Sequence, residues 1–298
     1  MTKKKSKTNK ILIIISIFLI CVSVGFFAFP SVSRWLTQER ADNLTDAFDN
    51  RQERVEDVLD GLEGLVDATD SVKTDTDSDG KGSDDGTEDD GKEDDAPGYY
   101  EGSYGYDVYY DRDDTGGWSD YGDSYLKELM AQLYKDSVAY NDSLKKRQDF
   151  SIPWTYSALN LKNYGIYDGM YGYLSIPKVG VNQPIYLGAT EGNMAYGVTH
   201  LMSTSLPIGG ESTNCVLSGH TGYIGRYFFD SLPDLDKGDK VYIKNYFGKL
   251  EYQVTGYRKV GPTDTSDMYI ERGKDKLTMF TCIDWGKNRY VGTCERVK

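Results

Sequence analysis

The C-terminal part of the chain, residues 170–298, is predicted to be an all-β domain, either a barrel or a sandwich. Short runs rich in Val, Ile, Tyr and Thr alternate there with Gly, Pro, Asn and Asp, and few helical stretches interrupt them. About 125 residues are enough to bury one hydrophobic core, so this region is one domain. The predicted strands are 173–176, 183–186, 214–218, 240–244, 250–260, 276–282 and 289–296.

The N-terminus has the pattern of a membrane anchor. Residues 11–29 are an almost uninterrupted apolar stretch without a charge, long enough to cross a bilayer as a helix, and Pro30 closes it. Five lysines precede the stretch, and such a cationic flank stays on the cytoplasmic side. We therefore predict a protein of the cell membrane with a cytoplasmic tail (1–10), a single transmembrane anchor (11–30) and the β domain on the extracellular side. A cleaved secretory signal is the alternative, although the Phe-rich end of the stretch is unlike a small-residue cleavage site.

Two segments with helical periodicity lie between the anchor and the β domain. In residues 36–72 the apolar side chains of one helical face are Val55, Leu59, Leu62 and Val66. In residues 125–150 the corresponding positions are Leu126, Leu129, Leu133 and Tyr140. We expect the two apolar faces to pair, as a helical hairpin or stalk between membrane and domain. A lid-like stretch completes the region 125–169.

Residues 73–124 form an acidic segment rich in Gly and Tyr, and we predict that it is disordered. Its few branched aliphatic residues bury too little apolar area to offset chain entropy. Between Asp75 and Asp114 there are 16 acidic and three basic residues, which accounts for the entire formal charge of -13. The acidity is therefore a property of this segment. Because no basic stripe with interleaved aromatic residues occurs, nucleic acid is not expected as a partner.

Three residues at the ends of predicted strands are candidates for catalysis. Cys282 ends one strand, His220 follows another, and Arg289 opens the last. A cysteine nucleophile needs a base or cation nearby, and acyl transfer needs a donor for the charge that develops on the carbonyl oxygen. An odd number of cysteines outside the anchor also leaves one thiol unpaired, which favours a reactive thiol. The alternative is that Cys215, Cys282 and Cys294 are all small buried hydrophobic residues.

Several motifs in order then resemble the class C, or pilus-type, sortases. Residues 204–210 read TSLPIGG and residues 216–222 read VLSGHTG, and both are similar to class C motifs. The sequence TMFTC at 278–282 resembles the sortase nucleophile motif, and residues 229–239 resemble the family's FxxL...GD stretch. The resemblance runs from Met170 to the C-terminus. It implies a closed, eight-stranded sortase-type β-barrel with short helices.

The resemblance also implies a function, that of a cysteine transpeptidase. Cys282 takes the place of the family's nucleophile, His220 that of the histidine that protonates the departing amine, and Arg289 that of its oxyanion-stabilising arginine. The expected substrate is a protein with an LPxTG-like sorting signal, which is cleaved through a thioester and transferred to an amine, that of a pilin lysine. One alternative is a sortase that attaches surface proteins to a peptidoglycan precursor. An alternative of another class is an inactive surface-binding module.

Neither a cofactor nor a metal is expected, since no CxxC or HxxxH pattern occurs. Further residues that touch substrate or form a lid are expected to be Trp154, Thr281 and Trp285. The family's lid has an acidic residue two positions before its aromatic residue. In this chain Ile152 stands in that acidic position, two residues before Trp154. Because the turn before Arg289 is shorter than in most class C members, Arg296 is the alternative for the arginine. We interpret His200 as a polar loop residue, and Cys215 and Cys294 as buried strand residues.

Overall fold

A computed structural model of the chain describes residues 2–59, 100–101, 122–222 and 228–297. Its strands are β1 Tyr100–Glu101, β2 Tyr156–Ser157, β3 Met170–Ile176, β4 Val181–Leu187, β5 Val198–His200, β6 Thr213–Ser218, β7 Lys240–Asn245, β8 Gly248–Val260, β9 Asp275–Ile283 and β10 Asn288–Arg296. Strands β3 to β10 close into a barrel in the order β10, β8, β7, β3, β4, β5, β6, β9. The predicted closed eight-stranded barrel is confirmed.

The barrel interior is filled by aliphatic side chains from alternating strand positions, as closure of a sheet requires. Leu174 of β3, Leu217 of β6 and Met279 of β9 all belong to this core and are fully buried. Each of the seven predicted strands overlaps an observed one. Strand β5 was not predicted, because three residues are too few to display an alternating pattern.

One helix, α1 Thr2–Leu59, runs through both the apolar stretch and the first amphipathic segment. The prediction of two helices separated after Pro30 was wrong, since Pro30 lies inside α1. A proline removes one backbone hydrogen bond and bends a helix, but the flanking turns can still continue it. The side chains described between residues 15 and 29 are exposed, and this part of α1 is long and apolar enough to span a membrane. Leu62 and Val66 lie outside the described residues.

A second helix, α2 Asp123–Lys146, packs against α1, so the two apolar faces do pair. They share a cluster in which Phe48, Val55, Leu126 and Leu133 are fully buried. The predicted helical pair ahead of the barrel is confirmed. The pair also lies along the barrel wall, where the Phe48 ring packs on Tyr246 at 4.6 Å between ring centroids.

Two parts of the acidic segment 73–124 have defined structure. Helix α2 begins at Asp123, and Tyr100–Glu101 pairs antiparallel with β2. Residues 60–99 and 102–121, with the predicted disorder, lie outside the described residues. A short helix, α3 Glu191–Met194, precedes β5 and is capped by the Thr190 side chain.

Candidate active site

Strand register brings the three candidate catalytic residues to one end of the barrel. Strands β6 and β9 are parallel and pair Ser218 with Phe280. His220 and Cys282 each lie two residues beyond that pair, so they occupy corresponding positions. Strands β9 and β10 are antiparallel, and their register places Arg289 directly opposite Cys282. We call this end of the barrel, where the three residues lie, the catalytic rim.

The alternation of side chains places Cys282 on the outer face of the barrel wall. Met279 belongs to the interior core, so Phe280 and Cys282 project outward. Phe280 lies in a second apolar cluster that also contains Val291, two residues from Arg289. The three candidate residues are thus at the edge of an apolar surface, and each of them is half-buried. A substrate can reach the sulfur there without entering the barrel.

The other two cysteines of the barrel are not equivalent to Cys282. Cys215 and Cys294 are buried free thiols. Burial raises the pKa of both well above the ordinary thiol range, for Cys215 with a further contribution from the Asp275 carboxylate. Because the thiolate is the nucleophile, these two residues are unreactive. They are buried strand residues, as the sequence indicated.

Arg289 is held at the catalytic rim by the turn that precedes it. Its Nη1 donates to the carbonyl oxygens of Gly286 and Asn288, at 2.9 Å and 3.2 Å. The alternative, Arg296, lies at the other end of β10, opposite Tyr252. Arg296 is seven positions farther along the strand than Arg289, which corresponds to about 23 Å. Arg296 is therefore too far from Cys282 to take part in the reaction.

The backbone around His220 is fixed from both sides. Thr281 Oγ1 donates to the Gly219 carbonyl at 2.7 Å and also bonds to the Thr221 hydroxyl, so β9 holds the loop that carries His220. On the other side, Phe229 N–H donates to the His220 carbonyl at 3.0 Å. A Cβ on Gly219 would lie 2.8 Å from the Phe229 ring, which explains why glycine occupies this position.

These contacts change the interpretation of Thr281. Its side chain is buried and already bonded, so in this arrangement it orients the loop of His220 and does not face a substrate. Asp230 is a further residue of this region that the sequence did not single out. Its carboxylate accepts from the N–H groups of Gly222 and Phe228, which flank residues 223–227. A carboxylate that accepts from two backbone N–H groups in this way has no short-range signature in a sequence.

The lid-like segment lies over the apolar surface beside Cys282. Trp154 packs edge-on against Phe280, with ring centroids 6.2 Å apart, and its carbonyl accepts from Ala189 N–H at 2.7 Å. Phe280 shares the outer face with Cys282, so Trp154 is adjacent to the site. Ile152, in the place of the acidic lid residue, is half-buried against the cluster between α1 and α2.

Trp285 lies in the turn between Cys282 and Arg289 and is fully exposed. It has φ 58, and Asp284 before it has φ 53, a left-handed backbone that costs free energy in residues other than glycine. The Asp284 carboxylate stabilises this turn by accepting from Asn288 Nδ2 at 2.8 Å and pairing with Lys259. The turn therefore holds an indole out in solvent between two candidate catalytic residues.

The interpretation of His200 as a polar loop residue was wrong. It ends β5 and is completely buried. Its Nε2 lies 2.9 Å from the Thr204 carbonyl and 3.1 Å from that of Ser205, so a neutral ring donates to the TSLP turn. Burial lowers the pKa of His200 to about 4. This histidine is structural, because its nitrogen is used by the backbone of the turn.

Comparison with known proteins agrees with this geometry. The family model of the sortase domain matches residues 174–297. A sortase A of Bacillus anthracis is 33% identical over 122 residues, which is 40% of this chain and 56% of that protein. A sortase A of Staphylococcus aureus is 34% identical over 131 residues, 43% of this chain and 61% of that protein. The chain thus covers less than two thirds of either relative.

Solved structures match over a longer part of the molecule. The pilus-related sortase C of Group B Streptococcus superposes with a TM-score of 0.51 at 31% identity, over 61% of this chain and 94% of that one. A lid mutant of Streptococcus agalactiae sortase C1 gives 0.51 at 27%, over 61% and 93%. The chain belongs to the sortase family, whose members are cysteine transpeptidases. Its structural neighbours confirm the predicted resemblance to the class C, pilus-type sortases.

Proposed function

We propose that this chain is a membrane-anchored sortase that cleaves an LPxTG-like sorting signal and transfers the acyl group to an amine. The observation that supports this most directly is the register of β9 and β10, which sets Arg289 opposite Cys282. His220 follows the strand that pairs with the other side of β9. One thiol, one imidazole and one guanidinium at a single rim are the groups that acyl transfer to sulfur requires.

The reaction has two halves. In the first, the Cys282 thiolate attacks the carbonyl carbon of the Thr–Gly bond, and N–H donors of Arg289 stabilise the resulting oxyanion. The C–N bond then breaks, the departing amine takes a proton from the His220 imidazolium, and a thioester to Cys282 remains. In the second half an amine attacks the thioester and gives a proton to His220, and sulfur leaves as thiolate.

The acceptor amine is proposed to be a pilin lysine. The structural neighbours named as pilus-related sortases support this choice. The rival function is that of a sortase whose acceptor is the amine of a peptidoglycan precursor. Exposed Trp285 and the surface next to Trp154 are the proposed contacts for the sorting signal, because both adjoin Cys282.

Mass spectrometry of the full-length protein in detergent tests the proposal. The protein is mixed with an LPxTG-type peptide alone, with a lysine-bearing pilin peptide, or with an amine of the peptidoglycan-stem type. We expect an acyl mass on the peptide that contains Cys282, and its transfer to the lysine peptide in preference to the stem-type amine. Preferential transfer to the stem-type amine would favour the rival function.

Two cysteine variants provide the matched comparison. Cys282→Ala is expected to abolish thioester formation and peptide cleavage, since no other barrel thiol is accessible. Cys215→Ala, a change of the same size at a buried thiol, should leave both largely intact. Equal loss in the two variants would contradict the proposal and indicate that the cysteines matter only for folding.

A further inference from the structure

The strand directions define which end of the barrel each connection occupies. Strands β6 and β9 run toward the catalytic rim and end near His220 and Cys282. Strand β5 is antiparallel to β6, and β4 is parallel to β5, so β4 and β5 both begin at the catalytic rim and run away from it. We call the opposite end of the barrel the distal rim. It contains the β7–β8 turn at residues 246–247.

Helix α1 first meets the barrel near the catalytic rim. The Arg40 guanidinium lies over the ring of Tyr196, 4.7 Å from its centroid, just before β5 begins. Asn182, at the start of β4, donates from Nδ2 to Thr45 Oγ1 at 2.9 Å. Tyr196 precedes β5 and Asn182 is the second residue of β4, so both lie near the ends of these strands that begin at the catalytic rim.

Farther along α1, the partners lie toward the distal rim. The Asp49 carboxylate accepts from Lys244 Nζ at 2.9 Å, and Lys244 is one residue from the end of β7. Arg51 pairs at 2.5 Å with Asp168, just before β3 begins at that end. Helix α1 therefore runs down the barrel wall from the catalytic rim to the distal rim. Its N-terminal apolar part projects beyond the catalytic rim.

We infer that the barrel presents its catalytic rim to the bilayer. The continuous helix α1 fixes the orientation of the barrel and its distance from the membrane. About ten residues of helix separate Pro30 from Arg40, which corresponds to about 15 Å. The surface beside Cys282 then fits partners whose reacting peptide or amine is held close to the membrane surface. Partners reach it from the side, through the gap between rim and headgroups. A proline bend changes the tilt but does not reverse which end faces the membrane.

This inference rests on the proposed anchoring of α1, and its test does not use enzymatic activity. Full-length protein with Cys21→Ala and Cys282→Ala is reconstituted in nanodiscs, where the buried Cys215 and Cys294 do not react with a dye. A single new thiol is then labelled with a fluorescence donor, either at Lys287→Cys on the catalytic rim or at Lys249→Cys on the distal rim. Both lysines are exposed and adjoin a turn. Energy transfer is measured to acceptor-labelled lipid headgroups.

We expect clearly higher transfer from the label at residue 287 than from that at 249, since the labels lie at opposite ends of strands that span about 25 Å. Equal or reversed transfer in inserted protein would overturn the inference while leaving anchoring and catalysis intact. Protein that fails to co-elute with the nanodiscs would overturn the anchoring and the inference together. Replacement of residues 33–38 by a Gly-Ser linker should abolish the difference between the labels. A difference that persists would show that α1 does not fix the orientation of the barrel relative to the membrane.

Discussion

At the scale of single residues, Arg289 has the most specific geometric requirement. Its guanidinium is fixed by the Gly286 carbonyl, and the residue lies opposite Cys282 in the β9–β10 ladder. Arg289→Lys keeps the positive charge but loses the planar fork that binds the turn and an oxyanion at once. We expect kcat/KM for cleavage of the sorting-signal peptide to fall by about 100-fold or more, the effect of removing one oxyanion donor.

The control for this change is Arg296→Lys on the same strand. The Arg296 guanidinium lies 5.6 Å from the centroid of the Tyr252 ring, far from the catalytic rim. Its replacement should leave kcat/KM of the folded protein within a few fold, although the melting temperature falls. If instead the Arg296 variant loses cleavage and the Arg289 variant keeps it, the assignment of the arginine is wrong.

His200 makes the stability of the barrel depend on pH. Its pKa is lowered by burial to about 4, whereas in the unfolded chain it titrates near its ordinary value of about 6.5. Between these values the unfolded chain binds a proton that the native state does not, so stability falls as pH decreases through this window. The full effect is about 3 kcal/mol, lost by pH 4.

Urea denaturation of wild type and His200→Gln at several pH values measures this effect. The variant should be less stable at pH 7, because the TSLP turn loses a well-placed donor, but its stability should fall less between pH 6.5 and 4. His220→Gln is the matched control, because His220 is half-buried whereas His200 is completely buried. Its stability should depend on pH as that of wild type does. Parallel curves for wild type and His200→Gln would show that His200 does not carry the dependence.

At the scale of elements, β9 both presents Cys282 and holds the loop of His220. Thr281→Val preserves shape but removes the hydroxyl that bonds to the Gly219 carbonyl and to Thr221. Because the ring of His220 is then less well oriented, we expect kcat to fall about tenfold with little change in KM, since small misplacement of a catalytic group is costly. The pH profile should also change, which purely structural damage would not cause.

Thr278→Val on the same strand serves as the comparison. Thr278 donates to Asn214 Oδ1 at 2.9 Å, away from the loop of His220. The free energy of unfolding of Thr278→Val should be about 1 kcal/mol lower than that of wild type, because one buried hydrogen bond is lost, while kcat should be unchanged. Equal kcat in wild type and Thr281→Val would contradict a positioning role for Thr281.

The elements that sequence could predict are those with a local pattern. Strands of six or more residues and the residues at their ends follow from alternation, which is why Cys282, His220 and Arg289 were located correctly on strands and rims. Strand β5 was missed because its three residues owe their structure to neighbouring strands. The role of Thr281 depends on a partner 62 residues away in the chain, and such a contact leaves no periodic signal.

At the scale of the whole molecule, the helical segment predicted between anchor and barrel also packs on the barrel. Periodicity identified the apolar face of residues 36–59 but not what covers it, since a helical face indicates burial without naming the partner. The cover is shared between α2 and the barrel, and Phe48 packs on Tyr173 of β3 as well as on Tyr246. The C-terminal half of α1 is therefore part of the folded domain.

The ion pair between Arg51 and Asp168 is the test of that integration. Arg51 is buried, and Asp168 also accepts from Met170 N–H at 3.0 Å, so the pair connects α1 to the start of the barrel. Arg51→Met leaves a carboxylate without its cation, and we expect the free energy of unfolding to fall by about 3 kcal/mol. In the double variant with Asp168→Asn the charge is gone while the Met170 contact remains, so most of the loss should be recovered. Chemical denaturation followed by Trp fluorescence measures all three proteins. If Arg51→Met unfolds like wild type, α1 is only loosely attached to the barrel and does not fix the position of the catalytic rim.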